Sequence, residues 1–312
     1  MVRFVQSRVA VVRGGLSNER TVSLSTGQAV VSALTERGHD VIEIDPGHDL
    51  PTQLLAARPD VVFNALHGTF GEDGRIQGLL DWMRLPYTGE GIRASLLAFD
   101  KVLAKQLYRS AGVAVADDYV LRGADHHDMT LDALPFELPV VVKPVAEGSS
   151  VGVYIVRTEN EFYQALALGA HDHYLIEKFV EGPEFSVVCL GDELIGSVEI
   201  EPLRAFYDYD AKYGDHGTRY HVPPRLSDAD RASVEAVGLA AHRALGCRGV
   251  TRSDVILAEH GPIALETNTL PGMTAQSLVP KVAAHAGMDF PSLIQRILDL
   301  ATFAGEEDQD GH

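Results

Sequence analysis

Cysteine, lysine and long apolar runs are all scarce in this chain. Cys189 and Cys247 stand alone and lack C-x-x-C spacing. They can build neither a disulfide framework nor a thiolate zinc centre, and they read as two buried free thiols in a reducing cytoplasm. Positive charge is short as well: 26 Lys and Arg against 44 Asp and Glu leave a formal net charge of −18. A surface that acidic excludes DNA or RNA as a partner, because phosphate contacts need a basic face, but a nucleotide needs only a few local cations. No apolar run is long enough to span a membrane, and "MVRFVQSRVAVVRGG" carries no signal-peptide pattern, so a cytoplasmic protein without a membrane partner is expected. The common nucleotide fingerprints are missing too. "VVVKPVAEGSSVGV" puts its lysine before the glycine, unlike G-x-x-x-x-G-K-[ST], and "RGGLSNER" lacks G-x-G-x-x-G.

What the chain does have is 312 residues at 46% hydrophobic content, enough for two or three globular domains. The first hundred residues alternate strand and helix. "RVAVVRGG", "DVIEID" and "DVVFNALHG" read as strands, with helices over residues 23–37 and from 74. That order predicts an α/β domain with a parallel sheet covered on both faces and a ligand edge at Gly14-Gly15 and His67-Gly68. A helical stretch over 94–112 leads to strands "LPVVVKP", "VGVYIV", "HYLIEKFV", "EFSVVCLG" and "ELIGSVEIEP", and a later helix covers 227–245. Residues 203–225, polar and rich in tyrosine, read as a functional lid.

Two segments carry the chemistry. In "RGVTRSDVILAEHGPIALETNTLPGMT", a three-residue loop Glu259-His260-Gly261 would pair Ala258 with Pro262. Asp254 then faces Glu266 and Arg252 faces Asn268 on one side, while Val255, Leu257, Ile263 and Leu265 face a core. A loop of two or four residues would break that parity. Oxygen donors without histidine or thiolate suit Mg²⁺ or Mn²⁺ better than zinc. In "VVVKPVAEGSSVGV", Lys143 ends one strand and a Gly-Ser loop leads to a returning strand, a hairpin flap able to close over triphosphate oxygens. Of six lysines, Lys105 and Lys281 read as surface residues.

The order of "GGLSNERTVSLSTG", "NALHGTFGEDGRIQGLL", "LPYTGEGIRAS", "DKVLAK", "VVVKPVAEGSSVGV", "LIEKFVEGPEFSV", "FYDYDAKY", "RSDVI" and "ETNTLPGMTAQSLVP" resembles the ATP-grasp ligases and, within them, the D-alanine–D-alanine ligase family. The resemblance runs over essentially the whole chain. It implies a three-domain α/β ATP-grasp fold: an N-terminal substrate domain with a parallel sheet (1–97), a central lobe with the flap (98–183), a C-terminal lobe with metal site and lid (184–306) and a disordered tail (307–312). Two α+β lobes would grip ATP. It further implies ligation of two D-alanines through an acyl phosphate for peptidoglycan synthesis, with two Mg²⁺ or Mn²⁺ ions and a homodimer.

By position, Lys101 and Lys143 would contact ATP phosphates, with flap residues Glu147, Gly148, Ser149 and Ser150 above them and Lys212 reaching in from the lid. Glu177, Lys178, Phe179 and Val180 fall on the adenine side and Glu184 on the ribose. Asp254, Glu266 and Asn268 match the metal ligands. Glu19 matches the carboxylate that holds the first D-alanine's ammonium, with His67 beside that substrate. Ser149 and Tyr213 match the pair bonded to that glutamate. Arg252 and the Gly272 amide match the oxyanion donors, and Ser277 and Leu278 the site of the second substrate's carboxylate. Rival readings are an ATP-grasp ligase with D-lactate or D-serine as acceptor, a nucleotide sensor and a non-enzymatic binding module.

Overall fold

The computed structural model of the chain describes residues 2–123, 129–148, 152–167, 173–202 and 218–306. Ser149, Ser150, Lys212, Tyr213, most of the expected lid and the 307–312 tail lie outside the described residues.

Strands β1 (Arg8–Val12), β2 (Asp40–Ile44) and β3 (Val61–Asn64) form a parallel sheet in the order β2-β1-β3. Alternate side chains of β1 serve opposite faces. Val9 and Val11 pack with Val30 and Leu34 of α1 (Arg20–Glu36), whereas Ala10 and Val12 pack with Leu54 of α2 (Leu50–Ala57) and Leu80 of α3 (Arg75–Met83). Burial on both faces explains why β1 and β3 read as unbroken apolar runs. The carboxyl ends of β1 and β3 deliver Gly14-Gly15 and His67-Gly68 to one edge.

The expected single helix over 94–112 is two helices, α4 (Ile92–Phe99) and α5 (Lys101–Ser110). Asp100 between them is extended, and its carboxylate accepts from the Val102 and Leu103 amides at 2.9 and 3.0 Å. That N-cap restarts the helix with Lys101 in its first turn and Lys105 one turn later on the same face.

Strands β4 (Asp118–Arg122), β5 (Val140–Pro144), β6 (Tyr154–Val156) and β7 (His173–Lys178) form an antiparallel sheet in the order β4-β7-β5-β6. Helix α6 (Glu159–Ala167) covers it through Phe162. β5 and β6 are the two arms of the flap. The third sheet, β10-β9-β8-β11-β12, holds β8 (Glu184–Leu190), β9 (Glu193–Glu201), β10 (Arg219–His221), β11 (Val250–Ala258) and β12 (Gly261–Asn268). Part of the expected lid is therefore an edge strand, and Arg225 just beyond it ion-pairs with Glu199 at 2.7 Å.

Helix α7 (Asp228–Ala244), whose N-cap Ser227 accepts from the Asp230 amide, packs Val234 against Phe185 and Val255. The last helices, α8 (Leu278–His285) and α9 (Phe290–Asp299), join the first and third sheets in one core: Val282 and Ile294 cluster with Val9 and Phe63 on one side and with Val188 and Val198 on the other. Removing the fully buried Ile294 side chain as Ile294→Ala should cost about 2–5 kcal/mol. Because the core is shared, far-ultraviolet dichroism and fluorescence should still report one coincident denaturant transition. Two separated transitions would contradict that coupling.

Candidate active site

The β11–β12 hairpin does bring Asp254 opposite Glu266 and Arg252 opposite Asn268, but by a different route from the one expected. Its loop has two residues, with Ala258 paired to Gly261 and Leu257 to Pro262. Continued regularly, that register would set Leu265 against Asp254 and turn Glu266 to the core side. A β-bulge at Leu265 inserts the extra residue and restores the face. On the core side Ala264, not Ile263 or Leu265, lies opposite Val255, and Ser253 bonds Thr267 at 2.8 Å beneath Tyr108. Leu265 and Ile256 turn instead to the cleft.

That cleft is two joined cavities. The larger, about 250 Å³, has an apolar floor including Val141, Ile155, Phe179, Ile256 and Leu265. Lys143, Glu177, Lys178, Glu184 and Asp254 supply polar groups around it, with Val180 beside them. The smaller, about 70 Å³, is lined by Glu19, His67, Gly148, Arg252, Asn268 and Gly272, among others. Lys101, Glu147 and Glu266 line both. Lys101 Nζ donates to the Glu147 carbonyl at 2.7 Å and lies 3.6 Å from Glu266 Oε2, so α5, the flap and β12 meet at the junction.

On that wall Arg252 grips Asp254 with both ends of its guanidinium fork, at 2.9 and 2.8 Å, and Ser186 of β8 donates to Asp254 Oδ1 at 2.5 Å. Glu266 keeps 31% of its side chain exposed toward the cavities. Among the described residues no cluster of three His, Cys, Asp or Glu side chains forms a metal cage. The donors here are two carboxylates and one amide, all oxygen, a set that suits a hard divalent ion completed by water or phosphate.

The substrate-side residues converge at the first sheet's carboxyl edge. Gly68 has a positive φ of 66°, and a Cβ there would strike the Glu19 carboxylate; at Gly148 on the flap a Cβ would lie 2.8 Å from Glu19 Oε2. Glycine at both positions lets two loops close on Glu19. His67 is buried, with Nε2 3.1 Å from Thr26 Oγ1 and a hydrogen bond to the Leu270 backbone. Burial pushes its pKa down to about 4, helped by the Arg252 charge, so the ring is neutral at physiological pH. Ser277 and Leu278 stand outside the lining of the two cavities, as N-cap and first residue of α8; Ser277 Oγ would lie 3.0 Å from a Cβ on Gly272.

Three residues were missed in the sequence. Lys105, read as a surface lysine, is 1% exposed and pairs with both Glu177 and Asp118. Its spacing of four from Lys101 on one helix was the available signal. Lys281 is likewise partly buried, its ammonium 5.1 Å from the Tyr220 ring centre. Glu72 is buried in the smaller cavity, where it accepts from the Gly68 amide at 2.7 Å. Burial, then the charge of Glu19, pushes it up to about 8.

The depressed His67 has a measurable consequence. Above about 6.5, its ordinary value, folded and unfolded chains both hold it neutral. As pH falls toward 4 the unfolded chain binds a proton that the folded one refuses, so this contribution to stability is lost on acidification. His67→Gln should flatten the unfolding free energy against pH between about 6.5 and 4. An unchanged slope would contradict the buried neutral ring.

Comparison with known proteins gives the family. The family model described as "D-ala D-ala ligase C-terminus" matches residues 107–299, and "D-ala D-ala ligase N-terminus" matches 47–90. A relative from Anaeromyxobacter dehalogenans (strain 2CP-C), named D-alanine–D-alanine ligase, is 49% identical over 96% of this chain and 99% of its own. One of the same name from Geobacter sulfurreducens is 45% identical over 94% and 93%. The crystal structure of D-alanine–D-alanine ligase from Bacillus anthracis superposes with a TM-score of 0.83 at 33% identity, covering 94% of this chain and 97% of that one. The same enzyme complexed with ATP gives 0.82 at 32% identity, over 94% and 96%. Fold and sequence agree: the chain belongs to the D-alanine–D-alanine ligase family, on an ATP-grasp fold.

Proposed function

We propose that this chain is an ATP-dependent ligase that joins two D-alanines into D-alanyl-D-alanine, releasing ADP and phosphate, for peptidoglycan precursors. One observation carries the proposal: the larger cavity, with its apolar floor and cationic side, shares Lys101, Glu147 and Glu266 with the smaller polar one. A nucleotide in the first would present its terminal phosphate to a carboxylate held in the second.

In this scheme a carboxylate oxygen of the first D-alanine attacks the γ-phosphorus, the bond to ADP breaks, and an acyl phosphate forms. The second D-alanine attacks the acyl carbon through its amine, which loses a proton, and phosphate departs with the oxygen it was transferred to. Lys101 and Lys143 offset triphosphate charge, a task of positioning and electrostatics. Lys178, Phe179 and Val180 bound the base and Glu184 the ribose. Glu19 holds the first ammonium beside His67. Arg252 and the Gly272 amide stabilise the tetrahedral oxyanion, and Ser277 with the Leu278 amide at the start of α8 receives the second carboxylate. Asp254, Glu266 and Asn268 would hold Mg²⁺ or Mn²⁺, two ions by resemblance, which neutralises phosphate charge when bound. A homodimer in the cytoplasm is part of the same proposal.

Phosphate release should require ATP and D-alanine, fail with L-alanine, stop with EDTA and return with excess Mg²⁺. Turnover without any amino acid would point to a nucleotide-hydrolysing sensor instead. Arg252→Ala should lower kcat by roughly 10²–10³-fold, the loss expected for one oxyanion donor. Retention of a tenth of wild-type kcat would remove Arg252 from that role.

A further inference from the structure

Beside the larger cavity lies a row of charges of which the reaction scheme uses only Lys143. Lys105 Nζ on α5 pairs with Glu177 Oε1 on β7 and stands 3.2 Å from Asp118 Oδ1 on β4. Glu177 Oε2 pairs with Lys143 on β5, and Asp118 Oδ1 pairs with Arg109, the member of the row most open to solvent. Lys143 and Glu177 line the larger cavity, whereas Lys105 lies outside that lining. Burial pushes Lys105 down to about 8 against the pull of Glu177. Burial also pushes Glu177 up, but Lys143 and Lys105 outweigh it and hold that carboxyl below its usual range.

The row carries three cations and two anions. If Lys143 turns to a phosphate, the four groups left behind are balanced and Glu177 still has a partner. Without Lys105, the same turn would strand a buried carboxylate, among the costliest events in a protein interior.

Resting on the ATP reading above, we propose that Lys105 is a positioning residue for nucleotide binding: it is the fixed counter-charge of Glu177 that frees Lys143 to engage the triphosphate.

The test is calorimetric titration without D-alanine, using Mg²⁺–ATP and, separately, adenosine, which offers Lys143 no phosphate. Lys105→Met should weaken ATP at least about 30-fold while adenosine changes less than about twofold. In a Glu177→Gln background, where no carboxylate can be stranded, adding Lys105→Met should change ATP affinity less than about threefold. Equal losses for ATP and adenosine would mean a collapsed pocket and overturn the inference, as would unchanged ATP binding by Lys105→Met. If Lys105→Met alone does not fold, the pair of Glu177→Gln chains decides: a further tenfold loss of ATP on removing Lys105 overturns the proposal. A wild-type chain that binds neither ligand would overturn the nucleotide reading itself, an outcome separate from all of these.

Discussion

The wall shared by the two cavities is a single antiparallel ladder, and the side its carboxyl-bearing end faces is set by one inserted residue. Strand geometry gives each side chain one of two faces, so a slip of one position exchanges them all. The two-residue turn at Glu259-His260 starts β12 in the register that would send Glu266 into the core beside Ser253. Leu265, bulged out of the ladder, corrects it before Glu266 and Asn268 are reached. Ser253 and Thr267 can then satisfy each other in the interior, and Asp254 and Glu266 share the cleft. The register set by the turn already puts Leu265 on the cleft side, where it extends the apolar floor. The turn thus sets the apolar floor and the bulge sets the carboxylates.

A chain of net charge −18 must still offer cations to a polyanion. It does so by burying lysines where carboxylates hold them. Lys101 sits between a backbone carbonyl and Glu266, and Lys143 against Glu177. Such pairs contribute little net stability, since both partners lose their water. They keep charge at fixed points in a low-dielectric cleft, which is what a reaction governed by electrostatics requires. The surface stays acidic, which disfavours nucleic acid without harming nucleotide affinity.

Much of this was legible in the sequence. The parallel sheet followed from apolar runs that end in glycine, and the hard-ligand wall followed from Asp254, Glu266 and Asn268 at alternating positions. The turn was misjudged because Glu-His-Gly fits a two- or a three-residue loop equally, and a bulge leaves no local mark when the inserted residue is an ordinary leucine. Lys105 was misplaced for a related reason. A lysine on an amphipathic helix reads as exposed unless its acidic partners are known, and those come from β4 and β7, 13 and 72 positions away. β4 itself, "DYVLR", is too short and polar to stand out. The break at Asp100 could have been read from its capping position, yet the apolar pattern runs through it without a gap.

The central claim is that the ligands of the two cavities touch at the Lys101–Glu147–Glu266 junction, where a substrate carboxylate takes the γ-phosphoryl group. Turnover with D-alanine labelled by ¹⁸O in its carboxylate, followed by mass spectrometry of the released phosphate, tests that contact directly. The account predicts one labelled oxygen carried from D-alanine into each phosphate. Phosphate released without label would mean that water, not the carboxylate, meets the nucleotide there, and would contradict the account.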